Sequence, residues 1–257
     1  MNDVLNIAAY RFVPLTDLPQ WQDRIMGHAQ AHALKGTVLL AEEGINLFLA
    51  GQAPSVRDWL EWLRTHAPFA GLQAKESWSG EVPFKRLRVK IKSEIIRMNR
   101  PAVVPAAGRA PAVEAHTLVK WLEQGHDDQG REVVMLDTRN RFEVDEGTFE
   151  GALDWNLSKF SEFPKALEQH ADSLRDKTVV SFCTGGIRCE KAALVMQQAG
   201  LPHSYQLEGG ILKYFEVTAQ APHWRGRCVV FDERGSLDAE LSAPSPSLSQ
   251  SLVQADR

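Results

Sequence analysis

Apolar and polar positions in the first hundred residues change period several times, and each change marks an element. Residues 5–13 are apolar and partly alternating, which predicts a strand. Residues 17–34 predict a helix, with Asp17 at its N-cap and Gly36 just past its end. Residues 37–41 and 45–50 predict two strands joined by Glu42-Glu43-Gly44. Residues 55–66 are amphipathic, with Val56, Trp59, Leu60 and Leu63 on one helical face. A last strand over 85–91 completes the order β-α-β-β-α-β, which predicts a small α+β sandwich of the ferredoxin-like type.

The second half has a different pattern. Residues 133–137 and 178–182 are continuous apolar runs without alternation, as expected of parallel strands buried on both faces. A helical stretch follows over 189–199. Between the halves, residues 99–111 carry three prolines and many small residues, the composition of a linker. These signals divide the chain into an α+β domain over 1–98, a linker over 99–116, an α/β domain over 117–224 and an extension over 225–257. Small polar residues after about 240 predict disorder there.

Composition narrows the class. With 257 residues and 44% apolar content, the chain can bury one large core or two smaller ones. The net charge of −4 implies no partner by itself. The start, Met1-Asn-Asp3, lacks the basic flank and apolar block of a signal peptide. No apolar stretch approaches the roughly 20 residues of a bilayer span, so no membrane association is expected. Three widely spaced cysteines argue against a disulfide framework and for a reducing cytoplasm. With no C-x2-C pair and eight scattered histidines, no metal site is expected.

The strongest chemical signal is Cys183-Thr184-Gly185-Gly186-Ile187-Arg188, set between an apolar strand and a helix. Unpaired N–H groups and the helix dipole at such a position stabilise a thiolate or a bound anion. Arg188 adds a permanent cation. A thiol with an ordinary pKa of about 8.5 is depressed in these surroundings, and the thiolate is the nucleophile. The C-x4-R spacing is one residue shorter than the C-x5-R loop with which phosphatases cradle phosphate, and suits a terminal sulfur or a compact sulfur anion. The alternative is a structural cysteine before an ordinary helix, which leaves Gly185-Gly186 without a packing purpose.

This loop resembles that of the rhodanese family, whose cysteine carries a persulfide between donor and acceptor. Residues 133–139, Phe142-Glu143, the stretch 147–152, Asn156-Leu157 and Tyr205-Gln-Leu-Glu208-Gly-Gly210-Ile211 are similar to the family's strands and glycine turns. Thr148-Phe149 stands where the family usually has His-Ile. The resemblance implies an α/β domain with a parallel sheet flanked by helices. Asp137 and Arg139 end its first apolar run. There Asp137 either orients a residue near the loop or caps a turn.

A second signal lies in Arg86-Leu87-Arg88-Val89-Lys90-Ile91-Lys92. Period-two geometry puts Arg86, Arg88, Lys90 and Lys92 on one sheet face and the aliphatic residues on the other. Lys85, Arg97 and Arg100 extend the charge, opposed only by Glu94. Like charges on one face repel, so an anionic partner such as a phosphate backbone relieves the repulsion. A solvated edge strand whose cations prevent aggregation explains the pattern equally well.

Taken together, the arrangement resembles a family of bacterial oxygen-dependent tRNA uridine hydroxylases, in which a ferredoxin-like domain precedes a rhodanese domain. The matching stretches are Glu43-Gly-Ile-Asn46, Val89-Lys-Ile-Lys-Ser-Glu-Ile-Ile96, Cys183-Thr-Gly-Gly-Ile-Arg-Cys-Glu-Lys191, Leu207-Glu-Gly-Gly-Ile-Leu-Lys213 and Cys228-Val-Val-Phe-Asp-Glu-Arg234. Generic rhodaneses do not continue with Cys-Glu-Lys. Longer members carry a cysteine-rich tail that is absent from this sequence. The resemblance implies conversion of wobble uridine to 5-hydroxyuridine, tRNA as partner, molecular oxygen as co-substrate and Cys183 as active cysteine, with the amides of 184–188 around whatever it bears. The cofactor is unknown: neither a dinucleotide fingerprint nor a two-His-one-carboxylate cluster is visible. Cys189 either resolves an oxidised Cys183 or is a small core residue, and Cys228 reads as structural. Sulfur transfer to a non-RNA acceptor and a non-catalytic binding module remain as other readings, and protein partners are unspecified.

Overall fold

The computed structural model describes residues 3–218 and 220–244. Its first unit contains β1 (Val4–Phe12), α1 (Leu18–Ala31), β2 (Lys35–Ala41), β3 (Gly44–Gln52), α2 (Ala53–Arg64), β4 (Ala74–Ser79) and β5 (Leu87–Ile91). The sheet order is β4-β1-β3-β2-β5, antiparallel throughout except for the parallel pairing of β2 with β5. The ferredoxin-like sandwich is therefore present, but the basic strand is a fifth, edge strand rather than the last of four. β4 supplies the missing strand. Its sequence, Ala-Lys-Glu-Ser-Trp-Ser, has no apolar alternation, and Trp78 is 41% exposed, so periodicity does not mark it. Asp17 does occupy the N-cap of α1, but its side chain makes no capping bond.

The two faces of this sheet have different fates. Leu5, Ile7, Ile45, Leu47, Leu49, Val38 and Val89 are buried in one apolar cluster with Ile25 of α1 and Val56, Trp59 and Leu63 of α2. No helix of this first unit covers the opposite face. Directly opposed neighbours place Lys75, Ala8, Phe48, Thr37 and Arg88 in one row across that face. Tyr10, Asn46, Leu39 and Lys90 form the next. Side-chain alternation thus puts the β5 cations on the sheet face turned away from the helices.

The second unit contains β6 (Ala112–Val113), α3 (Ala115–Gln124), β7 (Val133–Asp137), α4 (Arg141–Glu146), β8 (Gly147–Phe149), β9 (Leu153–Asp154), α5 (Phe163–His170), β10 (Thr178–Phe182), α6 (Ile187–Gln198), β11 (Ser204–Leu207) and α7 (Gly210–Val217). A parallel sheet of order β6-β11-β10-β7-β9 carries helices on both faces. β12 (Trp224–Gly226) pairs with β8, and β13 (Cys228–Val229) with β14 (Ser236–Leu237). The proline-rich stretch expected to be a linker lies along this unit, with Val103 and Ala110 buried beside Leu136 and Val179. Of the tail expected to be disordered, 245–257 lie outside the described residues. Ser242 is held by Asp238 Oδ1 at 2.8 Å and Arg227 Nη2 at 2.6 Å.

Helix α6 joins the two units. Residues 187–193 are all buried, Arg188, Glu190 and Lys191 among them, so every charge there needs a partner. Lys191, 1% exposed, places Nζ 2.8 Å from Glu43, 2.7 Å from Glu94 and 3.0 Å from the Ile96 carbonyl. Glu190 accepts hydrogen bonds from Tyr10 Oη at 3.1 Å, Arg109 Nε at 2.9 Å and Gln206 Nε2 at 3.1 Å. Glu43 also accepts the Ile95 amide at 2.7 Å, and Ala41, Ile95 and Ile187 form a small apolar cluster beside it. Glu-Gly-Ile-Asn, Ser-Glu-Ile-Ile and Cys-Glu-Lys, distant in sequence, are thus one docking contact. Lys191→Met leaves two carboxylates facing each other without their cation. We expect it to cost about 3–5 kcal/mol, read as a lower urea midpoint.

Candidate active site

β10 is buried along its whole length, so the chain leaves the sheet only at Cys183. The turn into α6 needs left-handed backbone at Gly186 (φ 94°). It lies so close to the Gly209-Gly210 turn that a Cβ on Gly210 would sit 2.5 Å from both the Cys183 oxygen and the Gly186 nitrogen. The first amides of α7 bind the loop from behind: Ile211 N–H donates to the Cys183 carbonyl and Leu212 N–H to that of Thr184, each at 3.0 Å. With its carbonyls engaged there, the loop turns amides toward the sulfur. Gly186 N–H donates to Cys183 Sγ at 3.2 Å.

Burial alone pushes the Cys183 thiol up. The Cys189 thiol hydrogen bond, the Arg188 charge and the amides of Arg188 and Cys189 outweigh it, and the pKa falls to about 5. Burial and the adjacent Cys183 push Cys189 well above the usual thiol range. Cys189 is therefore a neutral donor, bonded to Cys183 and also 3.7 Å from Thr138 Oγ1. Burial takes Cys228 up to about 12. One cysteine of the three is an anion at neutral pH.

Arg188 does not offer the free cation that its spacing suggests. Its guanidinium makes two bonds, at 2.6 and 2.7 Å, to Glu143, which is fully buried. Burial raises the Glu143 pKa, but the Arg188 bonds and charge outweigh this and hold the carboxyl below its usual range. Thr184 Oγ1 donates to the same carboxylate at 3.4 Å. The sequence did carry a sign of Glu143, an Asn140-x-x-Glu143 capping box that opens α4. Asp137 and Arg139 are brought together but away from the sulfur. Arg139 donates to Asp137 at 2.9 and 2.6 Å, Thr148 Oγ1 donates to the same carboxylate at 2.8 Å, and the Arg139 guanidinium lies against the Phe182 and Trp224 rings. The pair braces the strand ends behind the loop.

Cys183, Thr184 and Gly185 form one wall of a cleft of about 700 Å³, and Asn46, Phe48 and Lys75 of the first sheet form the other. Lys92 lines this cleft, as do Arg97 and Lys159. Arg86 and Arg88 line an adjoining groove of about 630 Å³, while Lys90 lies further out along the sheet edge. Lys75 was not foreseen. Burial lowers its pKa to about 8 against the attraction of Cys183 and Glu190, so it is a cation that faces the thiolate from the other domain. Tyr10, its neighbour, has its pKa raised by burial and by Glu190, and stays a neutral donor. No group of three or more metal-binding side chains occurs among the described residues.

Known proteins share both halves of this arrangement. Residues 4–95 match the UPF0176 acylphosphatase like domain, and residues 115–216 match the rhodanese-like domain. A tRNA uridine(34) hydroxylase of Bordetella petrii is 61% identical over 97% of this chain and 98% of its own length. The chain belongs to the tRNA uridine(34) hydroxylase family. A second member, from Delftia acidovorans, is 59% identical over 94% of this chain and 92% of its own. Among solved structures, a human single domain sulfurtransferase is 26% identical, with a TM-score of 0.36, over 43% of this chain and 99% of that one. Cys189-Glu190-Lys191 are thus the residues that bond Cys183 and dock the two domains.

The thiolate gives a direct prediction. Titration followed at the thiolate absorbance band should show one step near pH 5, absent in Cys183→Ser, with no second step before alkaline pH. A folded pKa below the unfolded thiol's, about 8.5, adds stability that is complete above that value and lost as pH falls through about 5. The stability difference between wild type and Cys183→Ser should shrink over that window.

Proposed function

We propose that this chain hydroxylates uridine 34 of tRNA, giving 5-hydroxyuridine in an oxygen-dependent reaction with Cys183 as the reacting group. The observation that carries this reading is the composite cleft. Cys183, itself buried, sits in the wall of a space of about 700 Å³ whose other wall is the first sheet and which is edged with cations, rather than in a hollow formed by its own domain alone. That space admits a nucleotide, and the family relationship supports tRNA as its source.

The residues suit attack on a pyrimidine. The thiolate bonds to C6 of the uracil, and the C5=C6 electron pair moves toward C5 and O4, which makes C5 electron-rich. Once C5 has taken one oxygen atom of O2, loss of the C5 proton restores C5=C6 and expels the thiolate, while two electrons from an external reductant and two protons carry the second oxygen atom off as water. On attack at C6, negative charge develops at O4, and Lys75, a cation in the cleft wall that makes no ion pair among the described residues, is placed to meet it. Asn46 and Asn140 on the same walls offer amide groups suited to the polar edges of a base. Cys189, protonated and bonded to Cys183, keeps the sulfur ionised until the base arrives.

The test is the nucleoside content of tRNA from cells lacking the gene. 5-Hydroxyuridine and its derivatives should be lost, restored by wild type and not by Cys183→Ala. Unchanged levels in cells without a second route to the nucleoside would point to sulfur transfer instead.

A further inference from the structure

The segment Cys228-Val-Val-Phe-Asp-Glu-Arg234 has no part in the chemistry above, yet it is firmly built into the molecule. Its turn is closed by Val230 N–H to the Gly235 carbonyl at 2.9 Å and Gly235 N–H to the Asp232 carbonyl at 3.1 Å. Arg234 pairs with Asp232 at 2.7 Å and reaches across to Ser77 of β4, also at 2.7 Å. The Glu233 amide donates to the Pro83 carbonyl at 3.0 Å. The C-terminal extension is thereby fastened to the first domain just beyond one residue, Phe231.

Phe231 is 50% exposed. Holding a phenyl ring in water on a braced turn is unfavourable unless something covers it. Phe48 lies edge-on to it at 6.2 Å and supports the ring from the sheet side. The ring belongs to two walls at once: it lines the Cys183 cleft and also the groove formed with Lys85, Arg86 and Arg88. Phe142 is equally exposed, at 53%, but borders neither space. Cationic groove, exposed aromatic and reactive cleft therefore follow one another in line. An unpaired nucleic-acid strand is bound by this combination, with cations on the phosphates and an aromatic face under a base.

We propose that Phe231 is the stacking platform for the nucleotide next to the one presented to Cys183, with Arg86 and Arg88 holding the phosphates on that side. The proposal rests on the tRNA reading above and adds where the strand enters. Stacking on Phe231 holds the neighbouring base while the target base turns out of the anticodon stack into the cleft.

The test is the affinity of the full-length protein for a labelled anticodon stem-loop RNA with uridine at the wobble position, compared with a stem-only duplex. Phe231→Ala should weaken stem-loop binding by about tenfold, Phe231→Trp should stay within about twofold of wild type, and duplex binding should not change. Arg86→Gln with Arg88→Gln should make the salt dependence shallower, by about 0.7 in the log–log slope for each phosphate that these arginines neutralise. Wild-type affinity in Phe231→Ala, or equal weakening by Ala and Trp, would overturn the stacking role and leave the tRNA reading intact. Failure of the wild type to bind the stem-loop would overturn both.

Discussion

Lys191 carries a full charge at 1% exposure, and burying an unpaired ammonium is prohibitively unfavourable. It is tolerable only where Glu43 and Glu94 meet it, and both come from the first domain. Such an ion pair confers geometry more than stability, because it is satisfied in one docking arrangement and penalised in others. Its position, three residues after Arg188 on the helix that begins at the Cys183 loop, makes the consequence specific. The charge that holds the domains together also fixes which face of the first sheet looks at Cys183.

The electrostatics of the site follow from that docking. Within the rhodanese-like domain the cation of the loop is already neutralised, since Arg188 is locked to Glu143. The thiolate rests on the Cys189 thiol, on the charge that Arg188 still exerts from within its pair with Glu143, and on the loop amides. A further cation has to come from across the cleft, and Lys75 on β4 supplies it. The Cys183 loop is thereby placed opposite a surface of a different kind, with aromatic, amide and ammonium groups.

Much of this was legible in the sequence, and the reason differs from part to part. The Cys183 loop could be read because its chemistry is local: strand, glycines and helix N-terminus are contiguous. The face of the β5 cations could be read because alternation is a property of one strand. β4 could not, since Ala-Lys-Glu-Ser-Trp-Ser pairs by its backbone at an edge and buries little. That Arg188 is paired could not be read, because its partner, Glu143, lies 45 positions away and was hidden in a capping box. Lys75 gave no local signal, and Phe231 lay in a matching stretch, Cys228 to Arg234, that said nothing of its place. A lysine in a weak strand and a phenylalanine after two valines acquire meaning only when two domains bring them to one cleft.

The central claim is that the site is composite, and Lys191→Met tests it most directly. Under conditions where the variant remains folded, tRNA hydroxylation and the Cys183 thiolate titration should be measured side by side. The account predicts that the titration step stays near pH 5, because the loop makes its own thiolate, while hydroxylation falls by about 100-fold as the first sheet loses its register over the sulfur. Full hydroxylation with the docking ion pairs removed would contradict it.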